Sequence, residues 1–152
     1  MLIGSTAQRV QRHAPGPVLV VRPAPAPGGH YAARMEILRL VLLFVHVLGF
    51  AALLGGLLAQ ARTPEKVVNA LMRDGIGTAF VAGLLLVGVL EAGDDPVNHA
   101  KIAVKFAIGL VILVLVMANV RKERIPTGLW LALLALTVAN IAVAIFWSPV
   151  HA

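Results

Sequence analysis

Residues 35–60 read MEILRLVLLFVHVLGFAALLGGLLAQ, and from Leu40 to Ala59 every residue except His46 is apolar or small. A run of about 20 such residues is long enough for a helix to cross the hydrocarbon core of a bilayer. In water it would need other protein wrapped around it on all sides. A chain of 152 residues that is 59% hydrophobic and 13% charged has little polar surface with which to do that, because soluble domains carry roughly 25% charged residues. With a mean hydropathy of +0.89, most of this chain is built for lipid as its solvent.

Three further apolar runs follow, each bounded by helix start and stop residues, and they predict an all-α membrane protein with a bundle of four transmembrane helices. The first span is read at 37–60 and is followed by Arg62. Thr63, Pro64 and Glu65 then form a plausible helix start, with Thr63 as N-cap and the proline in the first turn. A short amphipathic approach, EKVVNALMRDG, leads into the second span at 75–91. The turn AGDDP supplies Asp94 or Asp95 as the cap of the third span, 99–120, whose Lys101 and Lys105 can snorkel toward the interface. Pro126-Thr127-Gly128 opens the fourth span, 128–147, and Ser148-Pro149 closes it. Trp130 and Trp147 stand about 25 Å apart on a helix rising 1.5 Å per residue, a spacing that suits an aromatic anchor at each interface.

The formal charge of +6 sits in the amino-terminal segment and in short loops, not on one periodic face with aromatic partners. Nucleic acid is therefore not expected as a partner; the bilayer is. Arg62, Lys66, Arg73, Arg121, Lys122 and Arg124 flank one side of the spans, against Arg39, Lys101 and Lys105 on the other. The excess predicts a multi-pass protein of the cell membrane with cytoplasmic loops at 61–74 and 121–126 and both termini extracytoplasmic. Counting Arg22 and Arg34 nearly cancels the excess, so the segment before Met35 argues against the loops. With no cysteine in the chain, disulfides, thiolate metal sites and a thiol nucleophile are excluded. Residues 1–34 lack the apolar stretch of a signal peptide, so the first span is expected to be retained.

The opening segment has a different character. Residues 4–22, GSTAQRVQRHAPGPVLVVR, run in the order of a Gly-Ser pair, a short helix and an extended apolar strand, and residues 23–34 begin with the Pro/Gly-rich PAPAPGGH. In order and spacing, 4–22 resembles the carboxyl-terminal end of universal stress protein domains. The resemblance implies that Gly4 and Ser5 match the closing pair of that family's phosphate loop, and Val18 to Val21 its last strand. It covers only the close of such a domain, so residues 1–22 are read as a non-functional fragment, a poorly packed tail of short helix plus extended segment, with no nucleotide expected. MEILR is a plausible start in its own right, which makes a fusion remnant or a misassigned start the preferred origin of the tail.

Within the spans, four polar residues draw notice: His46, Lys105, Asn119 and Asn140. An ionisable group at mid-membrane is costly and marks a functional site by default, although an imidazole or amide can also serve as hydrogen-bonding glue between helices. The sequence expects both asparagines to bond across the bundle. Small residues four apart, Ala52/Gly56, Ala79/Gly83, Ala103/Ala107 and Ala135/Ala139, are expected to let helices approach closely.

Residues 35–152 resemble an uncharacterised actinobacterial-type family of four-span integral membrane proteins. His46 with Leu48 and Gly49, followed by His99 and Lys101, is also distantly similar to the layouts of copper-resistance D-type proteins and membrane protoporphyrinogen oxidases. That similarity implies haem or copper, with His46 and His99 as cofactor-binding residues. A second expected cluster is Glu91, Asp94, Asp95, His99 and His151, whose carboxylates and imidazoles suit a divalent cation, unless Glu91 simply pairs with Lys101 or Lys105. No phosphate-binding loop, zinc-protease helix or nucleophile elbow occurs, and no catalytic residue is assigned. The expected function is thus non-enzymatic, through helix packing with a second copy or a membrane partner. The alternatives are a haem- or metal-linked redox protein using His46, and a small transporter subunit with Glu91, Lys105 and Asn140 along a polar path.

Overall fold

The structure is a computed structural model and describes residues 28–93 and 96–147. Four helices follow one another: α1 (Gly29–Leu58), α2 (Ala70–Glu91), α3 (His99–Asn119) and α4 (Thr127–Phe146). All four are long and apolar enough to cross a membrane, so the chain is a multi-pass membrane protein of the all-α class. At 1.5 Å per residue, α2, α3 and α4 measure about 30–33 Å, matching a hydrocarbon core of about 30 Å. Helix α1, with 30 residues, would measure about 45 Å, so one end must project beyond that core. Contacts divide the chain into Met1–His30 and Tyr31–Ala152, and the packing described below belongs to the second unit. The tail expected at 1–22 and the start of the linker fall outside the described residues. From Gly29 onward the expected linker is helical and continuous with α1.

Each helix buries one narrow stripe. In α2 it is Met72, Gly75, Ile76, Ala79 and Ala82; in α3, Gly109, Ile112, Val116 and Asn119; in α4, Trp130, Leu133, Thr137 and Asn140. Steps of three and four residues place these side chains on one face. The opposite faces expose Phe44, Val47, Leu85, Val114, Val138 and Ile145. A folded protein that leaves large apolar side chains outward around its helices is matched to lipid, since in water patches of this extent mark an interaction surface.

The tightest approach joins α1 to α2. A Cβ on Gly49 would lie 2.6 Å from the Ala79 amide nitrogen and 2.7 Å from the Gly75 carbonyl oxygen, and one on Gly75 would lie 2.6 Å from the Leu53 amide nitrogen. Backbone here touches backbone, which only glycine permits. Of the expected small-residue pairs, Ala79/Gly83 and Ala52/Gly56 meet neighbouring helices. Ala103/Ala107 and Ala135/Ala139 instead face outward, because the buried stripes of α3 and α4 run through Gly109 and Asn140, in a different rotational register.

The connection from α1 to α2 corrects the expected helix start. Thr63 does not cap a helix: its hydroxyl faces the carbonyl oxygens of Gln60 and Glu65, at 3.0 and 2.9 Å, and the residues that follow it are not helical. Residues 64–69 run as an irregular segment, and α2 begins after Asn69, whose Oδ1 accepts from the Met72 amide at 3.0 Å while its Nδ2 donates to Gly56 O at 2.8 Å. Gln60 likewise bridges the connection, donating to Gly56 O at 3.0 Å and accepting from the Val67 amide at 2.7 Å. Lys66 folds back under this connection. Its ammonium donates to the carbonyls of Gln60, Ala61 and Thr63 and stands 4.5 Å from the Trp130 ring centroid. These carbonyls belong to the turn just past α1, near the negative end of its dipole.

Asp94 and Asp95 lie outside the described residues, and the side chain that caps α3 is Asn98, whose Oδ1 accepts from the Lys101 amide at 3.0 Å. Trp130 is a packing residue and not an interface anchor: it is 7% exposed, and its indole donates to Leu57 O at 3.1 Å. Trp147 is exposed at the far end of α4. The first and third connections meet, with Ile125 N donating to Lys66 O at 2.8 Å and Arg124 paired to Glu65 at 2.9 Å.

Candidate functional site

Between the helices lies a partly open cavity of about 110 Å³. Its walls are mostly aliphatic and aromatic, with Phe50, Phe80 and Phe106 among them, but three polar side chains also line it: His46 from α1, Lys105 from α3 and Asn140 from α4. Three of the four polar residues singled out in the spans thus converge on one space. Asn119 does not join them; its Nδ2 donates to Leu115 O at 2.7 Å within its own helix. At the last turn a carbonyl one turn back is in easy reach, so no cross-helix bond is needed.

His46 is held in a defined orientation. Its Nδ1 lies 2.6 Å from Ala79 O, and because a carbonyl only accepts, Nδ1 carries the proton and donates. In the neutral ring Nε2 is then left as an acceptor. The ring reaches that carbonyl because position 83 is glycine: a Cβ there would sit 2.9 Å from His46 Cε1 and 3.0 Å from Nδ1. Phe50 packs edge-on to the imidazole with ring centroids 5.1 Å apart.

Asn140 is 4% exposed, and among the described residues its Oδ1 is the one buried side-chain oxygen or nitrogen with no hydrogen-bond partner. The expected bond across the bundle is not made. Leaving such a group unsatisfied costs about 1–3 kcal/mol, and in a bundle otherwise well satisfied that cost calls for a role. Lys105 is half-buried and makes no ion pair among the described residues.

The remaining expected residues lie elsewhere. His99 stands at the first turn of α3, where its Nε2 is 2.9 Å from the exposed Glu91 carboxylate; Glu91 thus pairs with His99 and not with Lys101 or Lys105. Neither Glu91 nor His99 lines the cavity, so the polar path expected of Glu91, Lys105 and Asn140 is assembled only in its last two members. Asp94, Asp95 and His151 fall outside the described residues, and among the described residues no three His, Cys, Asp or Glu side chains gather as a cation site requires. Nor do His46 and His99 share a space in which one iron could take both. The cavity is on the scale of the roughly 150 Å³ void that admits a single benzene ring, and a porphyrin has four linked rings, so these residues do not fit haem.

Phe50, Phe80, Phe106 and Gly109 complete the site with no signal in the sequence, and Gly83 was marked there only as half of a small-residue pair. A phenylalanine in an apolar span reads equally well as facing lipid, and only the helix rotation decides which it is. Comparison of the chain with protein-family models, with curated proteins and with solved structures gives no match.

Proposed function

We propose that this multi-pass protein belongs to the cell membrane and acts by binding, not by catalysis, holding a small lipid-soluble molecule in the cavity between its helices. The observation that carries this reading is Asn140, a nearly buried amide with an unpartnered Oδ1, lining the same space as His46 and Lys105 inside an otherwise apolar bundle. Ligand sites are concave, largely apolar and equipped with a few convergent polar groups. Positions inside a membrane add the argument that such groups are expensive unless used. A direct test is fluorine NMR of the protein in lipid nanodiscs with 4-fluorotoluene and 4-fluorophenol as probes. A bound resonance distinct from the lipid-partitioned one, weakened in Gly109→Ala, supports the reading. Absence of a bound resonance for either probe overturns it. The added methyl in that variant would meet Phe80 and Asn140 at 3.9 and 4.0 Å, ordinary contact distances, so the substitution fills space without a clash.

A second reading, association with a second copy or another membrane protein, draws on α1, the least covered of the four helices, which presents Leu40, Phe44, Val47 and Leu48 outward. Phe44→Cys in this cysteine-free chain tests it: disulfide-linked dimers formed in native membranes support the reading. Monomer alone under the same oxidation removes its basis.

A further inference from the structure

We infer that the cavity takes a lipid-soluble molecule ending in a carboxylate, with Lys105 as its counterion and the apolar body of the molecule against the phenylalanines. This rests on the binding reading above and adds the charge and head group of the ligand.

Charge sets the class. Helix α3 begins at His99, so Lys105 stands about 9 Å along a membrane-spanning helix. It lines the cavity, no aspartate or glutamate does, and it makes no ion pair among the described residues. Its charge is near enough to act on the ring of His46, which also lines the cavity. An ammonium in low-dielectric surroundings draws an anion more strongly than one in water, and a charged residue inside a span marks a site whose partner has to be named. No described residue supplies that partner, so the counter-charge comes with the ligand.

The neighbouring polar groups favour the same chemistry. Asn140 Nδ2 has no hydrogen bond among the described residues, and of the two amide atoms only Oδ1 is sealed off. A Cβ on Gly109 would lie 4.0 Å from that Nδ2, which sets the amide beside α3 one turn deeper than Lys105. An ammonium and an amide N–H thus stand against the single lone pair of His46 Nε2, a set that suits oxygen acceptors. A ligand amine would meet like charge at Lys105, and a neutral carbonyl would leave that charge unmatched.

Shape sets the rest. The space of about 110 Å³ is on the scale of one ring or a short run of methylenes. Leu84 of α2 and Phe106 of α3 line it and are exposed, so its mouth lies on the lipid-facing surface and a longer chain can pass out into the bilayer. A carboxylate is flat and adds little bulk to the body that carries it, whereas a tetrahedral phosphate or sulfonate needs more room than a ring-sized space leaves.

The probes are 4-fluorobenzoate, 4-fluorobenzamide and 4-fluorotoluene, which share one ring and carry an anion, a neutral group of the same shape and a methyl. Each is titrated at neutral pH into the intact protein in nanodiscs of phosphatidylcholine, a lipid without net charge, and read by fluorine NMR. The benzoate is expected to bind about tenfold more tightly than the benzamide, the scale of one hydrogen bond to a charged group. Lys105→Met keeps the apolar stem and is expected to erase that preference while 4-fluorotoluene still binds, which shows the cavity retained. Lys105→Arg keeps the charge and the preference. Lys101→Met, one turn nearer the start of α3 and not a lining residue, leaves the preference in place. Equal binding of benzoate and benzamide to the wild-type protein would overturn the carboxylate assignment while leaving the binding reading intact, and binding of none of the three would overturn both. A preference that survives Lys105→Met, or one that is lost in Lys101→Met, would overturn Lys105 as the counterion.

Discussion

Lys66 shows how one side chain can hold a connection between helices. It is 5% exposed, and its ammonium collects the carbonyls of Gln60, Ala61 and Thr63 at the end of α1 while lying over the Trp130 ring. Those carbonyls lie in the turn that follows α1, where Gln60 O also accepts from the Thr63 amide at 3.1 Å, and the ammonium gives each of them a charged donor. Lys66→Met keeps the stem and removes the donors, so it is expected to cost about 1.5–3 kcal/mol, the range for hydrogen bonds to a charged group. Unfolding in mixed detergent micelles with increasing dodecyl sulfate measures this. Lys122→Met, at an exposed position of the third connection, should stay within about 0.5 kcal/mol. If the two variants lose the same stability, this role for Lys66 is wrong. In the sequence Lys66 was legible only as one more basic residue near a membrane boundary. Its partners are carbonyls, which every residue has, so nothing in the pattern could single it out.

At the scale of the helix, glycine positions divide into those that permit contact and those that merely weaken the helix. Gly49 and Gly75 place α1 backbone against α2 backbone, and any Cβ there would come within 2.7 Å of backbone atoms. Gly49→Ala and Gly75→Ala are expected to destabilise by about 1–3 kcal/mol or more, because backbone cannot turn aside as a side chain can. At Gly77 and Gly88 a Cβ would meet nothing within 4 Å, so alanine at either should be neutral or stabilise by up to about 1 kcal/mol through helix propensity. The same dodecyl sulfate titration ranks all four, and an inverted order would refute the α1–α2 contact. The existence of four helices was legible because hydrophobic length is a property of the sequence alone. Their rotation was not: Ala103/Ala107 and Ala135/Ala139 have the same spacing as Ala79/Gly83, yet they face outward. In lipid the exposed face is as apolar as the buried one, which removes the polar stripe that orients a helix in a soluble protein. His46, Lys105 and Asn140 were legible as polar residues out of place; that they share one cavity depended on this hidden rotation.

For the whole molecule, the two connections joined by Ile125 to Lys66 and Arg124 to Glu65 form one end of the bundle. The end of α2 and the start of α3 then lie toward the opposite end. Arg62, Lys66, Arg121, Lys122 and Arg124 all belong to the joined connections, while Arg73, in the first turns of α2, is paired with Asp74 at 2.7 Å. Lys66 is buried in the folded protein, but orientation is decided during insertion, when the chain has not yet folded around it and its charge still counts. The excess therefore favours this end in the cytoplasm. A green fluorescent reporter fused after Ala152 should be dark, and alkaline phosphatase at the same point should be active. Fusions after Arg124 should give the reverse. The chain's lack of cysteine allows a check without fusions: Glu65→Cys combined with Arg124→Cys should form an intramolecular disulfide under mild oxidation. In intact cells, neither of those single variants should react with a membrane-impermeant maleimide, whereas His99→Cys, at the other end, should. Labelling in the opposite pattern would invert the orientation, and failure of the double variant to crosslink would separate the two connections that close the bundle.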